Sequence, residues 1–240
     1  TKKFRRNRYL NMRNLNCLIT GASSGIGASI AQELSKSVKH IYILSRNTSK
    51  LEEINDKIIS NGCECTIVPI DLCEPNVIEN LSEEIFKKDR FLDIVVSSAG
   101  QITKLSPVES IDLNEFNDTI KLNYISNFRI MKHFHPLLKN SKKSNFIIIS
   151  SIKNEMQSQY WGIYQPIMTA LNELVISFAN ENKGTSINAN IIYPGAVNTK
   201  FRENIMPGED KSNIKDPVDV ARAVVNFFQS NEKSGEIIKL

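Results

Sequence analysis

The stretch Thr20-Gly21-Ala22-Ser23-Ser24-Gly25-Ile26-Gly27 decides the fold, because it joins an apolar run to a helical pattern through a glycine-rich turn. Residues 16–20 predict a short strand, and residues 26–36 have helical periodicity. Glycines at this spacing allow a tight turn, a close approach of the backbone to a ligand, and packing of the helix against the sheet. The helix N-terminus offers free N–H groups and a partial positive charge. The stretch therefore predicts a phosphate-binding turn.

The same alternation of strands and helices continues along the chain. Predicted strands cover residues 16–20, 40–44, 65–70, 93–97, 145–149, 187–193 and 235–239. Predicted helices cover residues 26–36, 49–61, 77–87, 113–139 (in one or two pieces), 169–182 and 218–229. Strands that are apolar on both faces are expected where helices cover both sides of a parallel sheet. We therefore predict an α/β fold with a single Rossmann-like, doubly wound parallel β-sheet and helices on both faces.

Charge is distributed unevenly along the 240 residues. The first acidic residue is Glu33, and the basic residues that precede it are Lys2, Lys3, Arg5, Arg6, Arg8 and Arg13. The rest of the chain carries 24 basic and 26 acidic residues. We predict a flexible basic extension over residues 1–13 and one domain over residues 14–240. A nearly neutral domain argues against nucleic acid as a partner.

Several classes of protein are disfavoured by composition. No run of 18 apolar residues is present, so we expect no membrane span. Residues 1–16 lack an apolar core, so we expect no secretory signal. Cys17, Cys63, Cys65 and Cys73 form no CxxC pair and no cluster with histidine, so we expect free thiols, no metal site and a cytoplasmic location.

The second and third predicted strands end in residues that bear on the ligand. Ser45 and Arg46 stand where an NAD-binding protein of this fold usually has a carboxylate for the ribose hydroxyls. Because a guanidinium suits a 2′-phosphate, NADP is favoured over NAD, although Arg46 could instead only cap a surface loop. Asp71, which precedes Leu72, could accept a hydrogen bond from an adenine amino group or cap the following turn.

From about residue 15 to residue 238, the chain resembles the short-chain dehydrogenase/reductases in their smaller single-domain branch. Residues 20–27 match the TGxxxGxG loop of that family, and Ser97-Ser98-Ala99-Gly100 stands where the family usually has Asn-Asn-Ala-Gly. Pro194-Gly195, followed by Thr199, matches the segment that closes over the nicotinamide. The cofactor-binding residues that the fold and the resemblance imply are Thr20, Gly21, Ser23, Ser24, Gly25, Ile26, Gly27, Arg46, Asp71, Leu72, Ser98, Ala99, Gly100, Pro194, Gly195, Val197 and Thr199.

The resemblance also implies three catalytic residues. Ser151 matches the serine that holds and polarises the substrate oxygen, and Tyr164 matches the tyrosine that gives or takes the proton. Asn123 falls at the helical asparagine that helps to hold a proton-relay water. The implied chemistry is hydride transfer between a nicotinamide and a carbonyl or alcohol carbon, with general acid–base catalysis and no metal.

One position departs from this pattern. The family has a lysine four residues after the tyrosine, which binds the nicotinamide ribose and lowers the tyrosine pKa, whereas this chain has Met168. Pro166 is tolerated in a first helical turn, so the helix predicted from residue 169 can begin near Gln165. Lys153 could supply a substitute cation or could be a solvated loop lysine.

Three functional hypotheses follow. The first is an NADP-dependent oxidoreductase acting on a small or medium carbonyl or alcohol substrate and impaired by the missing lysine. The second is a cofactor-binding protein without turnover that acts as a sensor, scaffold or partner subunit. The third, a binder of nucleic acid or an anionic surface through the basic extension, has the least support. The resemblance also implies a homo-oligomer, a dimer or tetramer, built through residues 113–139 and 169–182.

Overall fold

Seven parallel strands form one sheet in the computed structural model, which describes residues 12–151, 159–230 and 233–240. The strands are β1 (Asn16–Thr20), β2 (His40–Ser45), β3 (Glu64–Pro69), β4 (Ile94–Ser97), β5 (Ser144–Ile149), β6 (Ile187–Tyr193) and β7 (Ile237–Lys239). Their order across the sheet is β3-β2-β1-β4-β5-β6-β7. β1 pairs with β2 on one side, Thr20 opposite Leu44, and with β4 on the other, Thr20 opposite Ser97. Strand order therefore reverses between β1 and β4, where an open α/β sheet binds its ligand.

Helices cover both faces of the sheet. They are α1 (Gly25–Leu34), α2 (Thr48–Ser60), α3 (Val77–Lys88), α4 (Leu113–Ile120), α5 (Ser126–Asn140), α6 (Tyr164–Glu181), α7 (Lys200–Ile205) and α8 (Pro217–Ser230). Successive β1 residues point to opposite layers: Cys17 and Ile19 pack in the layer of α1, α2 and α8, whereas Leu18 packs in the layer of α3, α5 and α6. This arrangement confirms the predicted doubly wound fold.

The largest differences from the predicted elements lie in the helices. The helical pattern of residues 113–139 is divided into α4 and α5 by a π-helical turn, Lys121–Ile125. The helical pattern placed the start of α6 at Thr169, which is wrong, whereas the start near Gln165 expected from Pro166 agrees within one residue with the observed start at Tyr164. Pro166 lies in the first turn of α6, where a backbone N–H needs no helical partner. The helix α7 was not predicted from the sequence.

The predicted extension is described only at its end. Residues 1–11 lie outside the described residues, whereas Met12 is buried against the layer of α1, α2 and α8, in a short 3-10 helical turn, Met12–Asn14. No helix within the described part of the chain is long and apolar enough to cross a membrane. Over the same residues, no group of three or more His, Cys, Asp or Glu side chains is placed to hold a metal ion.

Arg129 on α5 fixes the segment that follows β3. Its guanidinium donates two hydrogen bonds to the Glu79 carboxylate of α3, at 3.0 and 2.6 Å. It also donates to the backbone carbonyls of Leu72 and Glu74, at 3.2 and 3.0 Å. His133 lies 3.3 Å from the same carboxylate. A largely buried arginine with four acceptors holds this segment against the helical layer.

We expect Glu79→Gln to destabilise the fold by about 2 kcal/mol at neutral pH. The hydrogen bonds from Arg129 lower the pKa of Glu79 from 4.5 to about 2. The stabilisation is therefore complete above pH 4.5 and is lost as the pH falls towards 2. Urea unfolding of the protein and the variant at several pH values measures this difference, which should shrink on acidification.

The matched control is Glu84→Gln, which removes an exposed ion pair between Glu84 and Lys87 on the same helix. Exposed pairs of this kind contribute little to stability, so we expect a change below about 0.5 kcal/mol. Equal effects of the two substitutions would contradict the special role of the Arg129 contact.

Candidate active site

A cleft of about 1180 Å³ opens at the carboxyl ends of the central strands. It lies at the switch point between β1 and β4, where both halves of the sheet contribute residues. All predicted site residues except Thr20 and Gly27 line it: Gly21, Ser23, Ser24, Gly25, Ile26, Arg46, Asp71, Leu72, Ser98, Ala99, Gly100, Asn123, Ser151, Tyr164, Pro194, Gly195, Val197 and Thr199.

Thr20 and Gly27 shape the cleft from beneath its surface. Thr20 is fully buried, and its hydroxyl oxygen accepts hydrogen bonds from the backbone N–H groups of Ser98 and Ala99, both at 3.1 Å. A Cβ atom on Gly27 would lie 2.4 Å from the carbonyl oxygen of Gly21. The first residue therefore joins β1 to the segment after β4, and the second lets α1 pack against the turn.

The N-terminus of α1 faces the cleft through Ser23, Ser24, Gly25 and Ile26. Ser24 stands at the N-cap without a side-chain capping bond, and the first turn of a helix leaves N–H groups without helical partners. Gly25 has a φ of +56°, and a Cβ atom there would lie 3.2 Å from Cγ2 of Thr199. This small cradle of N–H groups fits a phosphate group.

At the ends of β2 and β3, Arg46 and Asp71 meet in the cleft. The guanidinium nitrogen Nη1 of Arg46 lies 3.6 Å from Oδ2 of Asp71, and the Arg46 side chain is 69% exposed. Asp71 also accepts a hydrogen bond from the backbone N–H of Cys73 at 2.9 Å, so it caps the turn after β3. An exposed pair at this distance is weak, so a ligand phosphate can compete for the guanidinium.

Asn123 lies in the π-helical turn and binds the chain that leaves β4. Its amide accepts from the N–H of Gln101 and donates to the Gln101 carbonyl, both at 2.8 Å. The carbonyl of Asn123 accepts from Nδ2 of Asn127 at 2.8 Å. Oδ1 of Asn127 accepts in turn from the Ser97 hydroxyl at 2.5 Å. Ser97 therefore braces the end of β4 through Asn127, a residue that the sequence analysis missed.

Ser151 is held by two polar residues on the buried face of α6. Its hydroxyl donates to Oε1 of Gln165 at 3.3 Å, and its carbonyl accepts from Nδ2 of Asn172 at 2.7 Å. Asn172 also accepts from the hydroxyl of Ser150 at 2.6 Å. The sequence analysis missed Gln165 and Asn172. The sequence feature that could have identified them is a pair of amide side chains seven residues apart on an otherwise apolar helical face.

Tyr164, the first residue of α6, is partly buried between aromatic rings. Its ring centroid lies 6.0 Å from that of Trp161 and 5.9 Å from that of Phe201. Burial raises the pKa of Tyr164 to about 12. Met168, one turn later, is buried, lines the cleft and brings no charge. Lys153, which by sequence could be a substitute cation or a solvated loop lysine, lies outside the described residues.

The segment from Pro194 to Thr199 is fastened to the chain that follows α7. Nζ of Lys215 donates to the carbonyl of Pro194 at 3.0 Å, and the backbone of Lys215 bonds to Asn198 and Ala196. Thr199 caps α7 by accepting from the N–H of Arg202 at 3.2 Å. This segment therefore forms one wall of the cleft.

A model of the short chain dehydrogenase family matches residues 16–210. The chain belongs to this family. It is 30% identical to a fatty acyl-CoA reductase of Acinetobacter baylyi over 190 residues, which cover 79% of this chain but only 64% of that relative.

Solved structures agree with this assignment. A short chain dehydrogenase from Salmonella enterica has a TM-score of 0.90 at 24% identity, over 96% of this chain and 97% of that one. At this identity the likeness concerns the fold. An alcohol dehydrogenase from Thermococcus sibiricus, complexed with 5-hydroxy-NADP, has a TM-score of 0.86 at 26% identity, over 95% of this chain and 96% of that one.

We expect Thr20→Val to destabilise the fold by about 2 kcal/mol. Valine has a similar shape but no acceptor, so the N–H groups of Ser98 and Ala99 would lose their partner. Thr20→Ser keeps the hydroxyl and should cost much less. Urea unfolding measures both variants, and an equal loss in the two would assign the effect to packing of the methyl group instead.

Proposed function

We propose that this chain is an NADP-dependent oxidoreductase that transfers hydride between the nicotinamide and a small or medium carbonyl or alcohol substrate. One observation carries the proposal: Ser151 and Tyr164 line the same cleft as the glycine turn and the N-terminus of α1. A phosphate cradle and a serine–tyrosine pair in one cleft suit a dinucleotide and the carbonyl group beside it.

The residues of the cleft fit the proposed cofactor. The cradle at Ser24 and Gly25 suits the pyrophosphate, and Arg46, which follows β2, suits a 2′-phosphate. The alcohol dehydrogenase from Thermococcus sibiricus is complexed with an NADP derivative, which supports the same class of ligand. A bound nicotinamide would supply or accept the hydride. The remaining steps belong to side chains of this protein.

In the proposed reaction, Tyr164 moves the proton and Ser151 holds the substrate oxygen. Carbonyl reduction needs a neutral tyrosine, which a pKa of about 12 maintains across the physiological range. Alcohol oxidation needs the phenolate, whose population below that pKa falls about tenfold per pH unit. Because Met168 supplies no charge to lower this pKa, the site is suited to carbonyl reduction near neutral pH.

The oxidoreductase is favoured over a cofactor-binding protein without turnover. The family match and the reductase and dehydrogenase names of the relatives support redox chemistry. Ser151 is also held by Gln165 and Asn172 on a buried helix face, which keeps its hydroxyl in the cleft. A retained and oriented serine beside a tyrosine has a direct use in turnover.

We expect Met168→Lys to increase kcat/KM for alcohol oxidation about tenfold or more. A cation one turn from Tyr164 stabilises its phenolate and lowers its pKa, so the rise of activity with pH should also shift towards neutral pH. Steady-state oxidation of a panel of simple alcohols, measured as a function of pH, gives both quantities.

Met168→Leu is the matched control, because it changes the shape of a buried apolar side chain without adding charge. We expect it to leave the pH profile unchanged. An identical profile for Met168→Lys and Met168→Leu, with both proteins folded, would contradict the proposed proton-transfer role of Tyr164.

Cofactor choice is tested with Trp161, the sole tryptophan, which lines the cleft. We expect NADPH to quench its fluorescence with a Kd about tenfold lower than that of NADH. Arg46→Gln should remove most of this difference by weakening NADPH binding alone. Equal affinity for both cofactors in the unsubstituted protein would overturn the assignment of Arg46, and absence of binding would overturn the proposed function.

A further inference from the structure

Three large apolar side chains are exposed within the cleft. Tyr160 is 52% exposed, Phe201 is 38% exposed and Met206 is 36% exposed, and all three line the same cleft as Tyr164. Exposed apolar surface inside a concave site is costly in water and marks a place where a ligand is bound. Leu105 and Ile205 extend the same apolar lining.

The backbone at Tyr160 is strained. Its φ is +78°, a left-handed conformation that bulky residues seldom adopt. The N–H of Ser106 donates to the Tyr160 carbonyl at 3.1 Å, and Ser106 forms a parallel bridge with Trp161. The segment around Ser106 therefore holds the left-handed conformation of Tyr160, which keeps the Tyr160 ring at the cleft. Strain of this kind concentrates at ligand sites.

Three rings form what we call the aromatic slot: Trp161, Tyr164 and Phe201. Tyr164 contacts the other two, with interplanar angles of 58° and 56°. Trp161 is buried, whereas Phe201 is exposed and can stack against another aromatic ring. Because Tyr164 belongs to the slot, a group bound there lies beside its hydroxyl-bearing ring.

The charge around the slot opposes a cationic ligand. Among the described residues that line the cleft, the acidic one is Asp71, which pairs with Arg46. Lys200 and Arg202, the sequence neighbours of Phe201, line the cleft. The Arg202 guanidinium donates two hydrogen bonds to the Glu209 carboxylate, at 2.7 and 2.6 Å. A positively charged substrate would meet basic residues there, and the Glu209 carboxylate is already paired with Arg202.

We propose that the aromatic slot selects the substrate, and that the substrate is an uncharged carbonyl compound that carries an aromatic ring close to its carbonyl group. This proposal rests on the proposed function and gives its substrate class. In the reduction, the carbonyl carbon gains a hydride from the reduced nicotinamide, and the carbonyl oxygen gains a proton from the Tyr164 hydroxyl. The products are the alcohol, the oxidised nicotinamide and the Tyr164 phenolate, which regains its proton from water.

The test compares methyl ketones of similar reactivity. Methyl ethyl ketone lacks the ring that benzylacetone carries, so their kcat/KM ratio reports the slot. We expect benzylacetone to be preferred about tenfold or more. The para-tert-butyl and para-trimethylammonium derivatives of benzylacetone have the same shape and differ in charge. We expect the neutral derivative to be preferred about tenfold.

Substitutions assign the preference to the slot. Phe201→Ala should lower the ratio of kcat/KM for benzylacetone to that for methyl ethyl ketone about tenfold. Ile59→Ala is the control, because Ile59 is an exposed apolar residue of α2 that does not line the cleft. It should leave both values unchanged.

Direct binding separates the two proposals. Calorimetric titration of the full chain with each ketone, with and without NADP, does not depend on turnover. Selective, Phe201-dependent binding of benzylacetone without reduction of any ketone would overturn the proposed function and keep the slot. Reduction of both ketones with equal kcat/KM would overturn the slot and keep the proposed function. A preference that Phe201→Ala leaves intact would also overturn the slot.

Discussion

The close approach of the ends of β1 and β4 is the constraint on which the site depends. The Thr20 hydroxyl joins the two by accepting from Ser98 and Ala99, and a Cβ atom on Gly21 would lie 2.8 Å from the Ala99 nitrogen. Only glycine permits this contact together with the φ of +67° at Gly21. The turn therefore places the N-terminus of α1 directly over the point where the strand order reverses, and the cleft is a consequence of that placement.

The opposite wall of the cleft depends on α6, which combines two functions. Its buried face carries Gln165 and Asn172, whose amides hold Ser151, whereas its first residue is Tyr164. Pro166 can stand in the first turn because that turn needs no N–H donor. The same early start of the helix places Met168 in the apolar layer, where a charged side chain would have to overcome desolvation.

The sequence predicted the sheet well and the helix boundaries less well, for physical reasons. Strands such as β1 and β4 are short apolar runs bounded by polar residues, so their ends are visible in composition alone. The helical pattern alone placed the start of α6 at Thr169, five residues late, whereas the tolerance of Pro166 in a first turn indicated a start near Gln165, which agrees with the structure within one residue. Asn127 and Gln165 were missed because their roles depend on partners 30 and 14 residues away in sequence, Ser97 and Ser151. The cleft-lining glycines and serines, by contrast, belong to a local motif and could be predicted.

The aromatic slot and the unusual environment of Tyr164 have a common physical origin. Phe201 and Trp161 exclude water from one side of the phenol ring, and burial raises the pKa of Tyr164. Met168, one turn away, is buried and uncharged, so the described surroundings of the phenol ring favour its neutral form. An apolar surrounding of this kind also favours apolar ligands. Substrate preference and protonation state are therefore coupled: a change that opens the slot to water alters both, whereas a charge introduced at residue 168 acts mainly on the tyrosine.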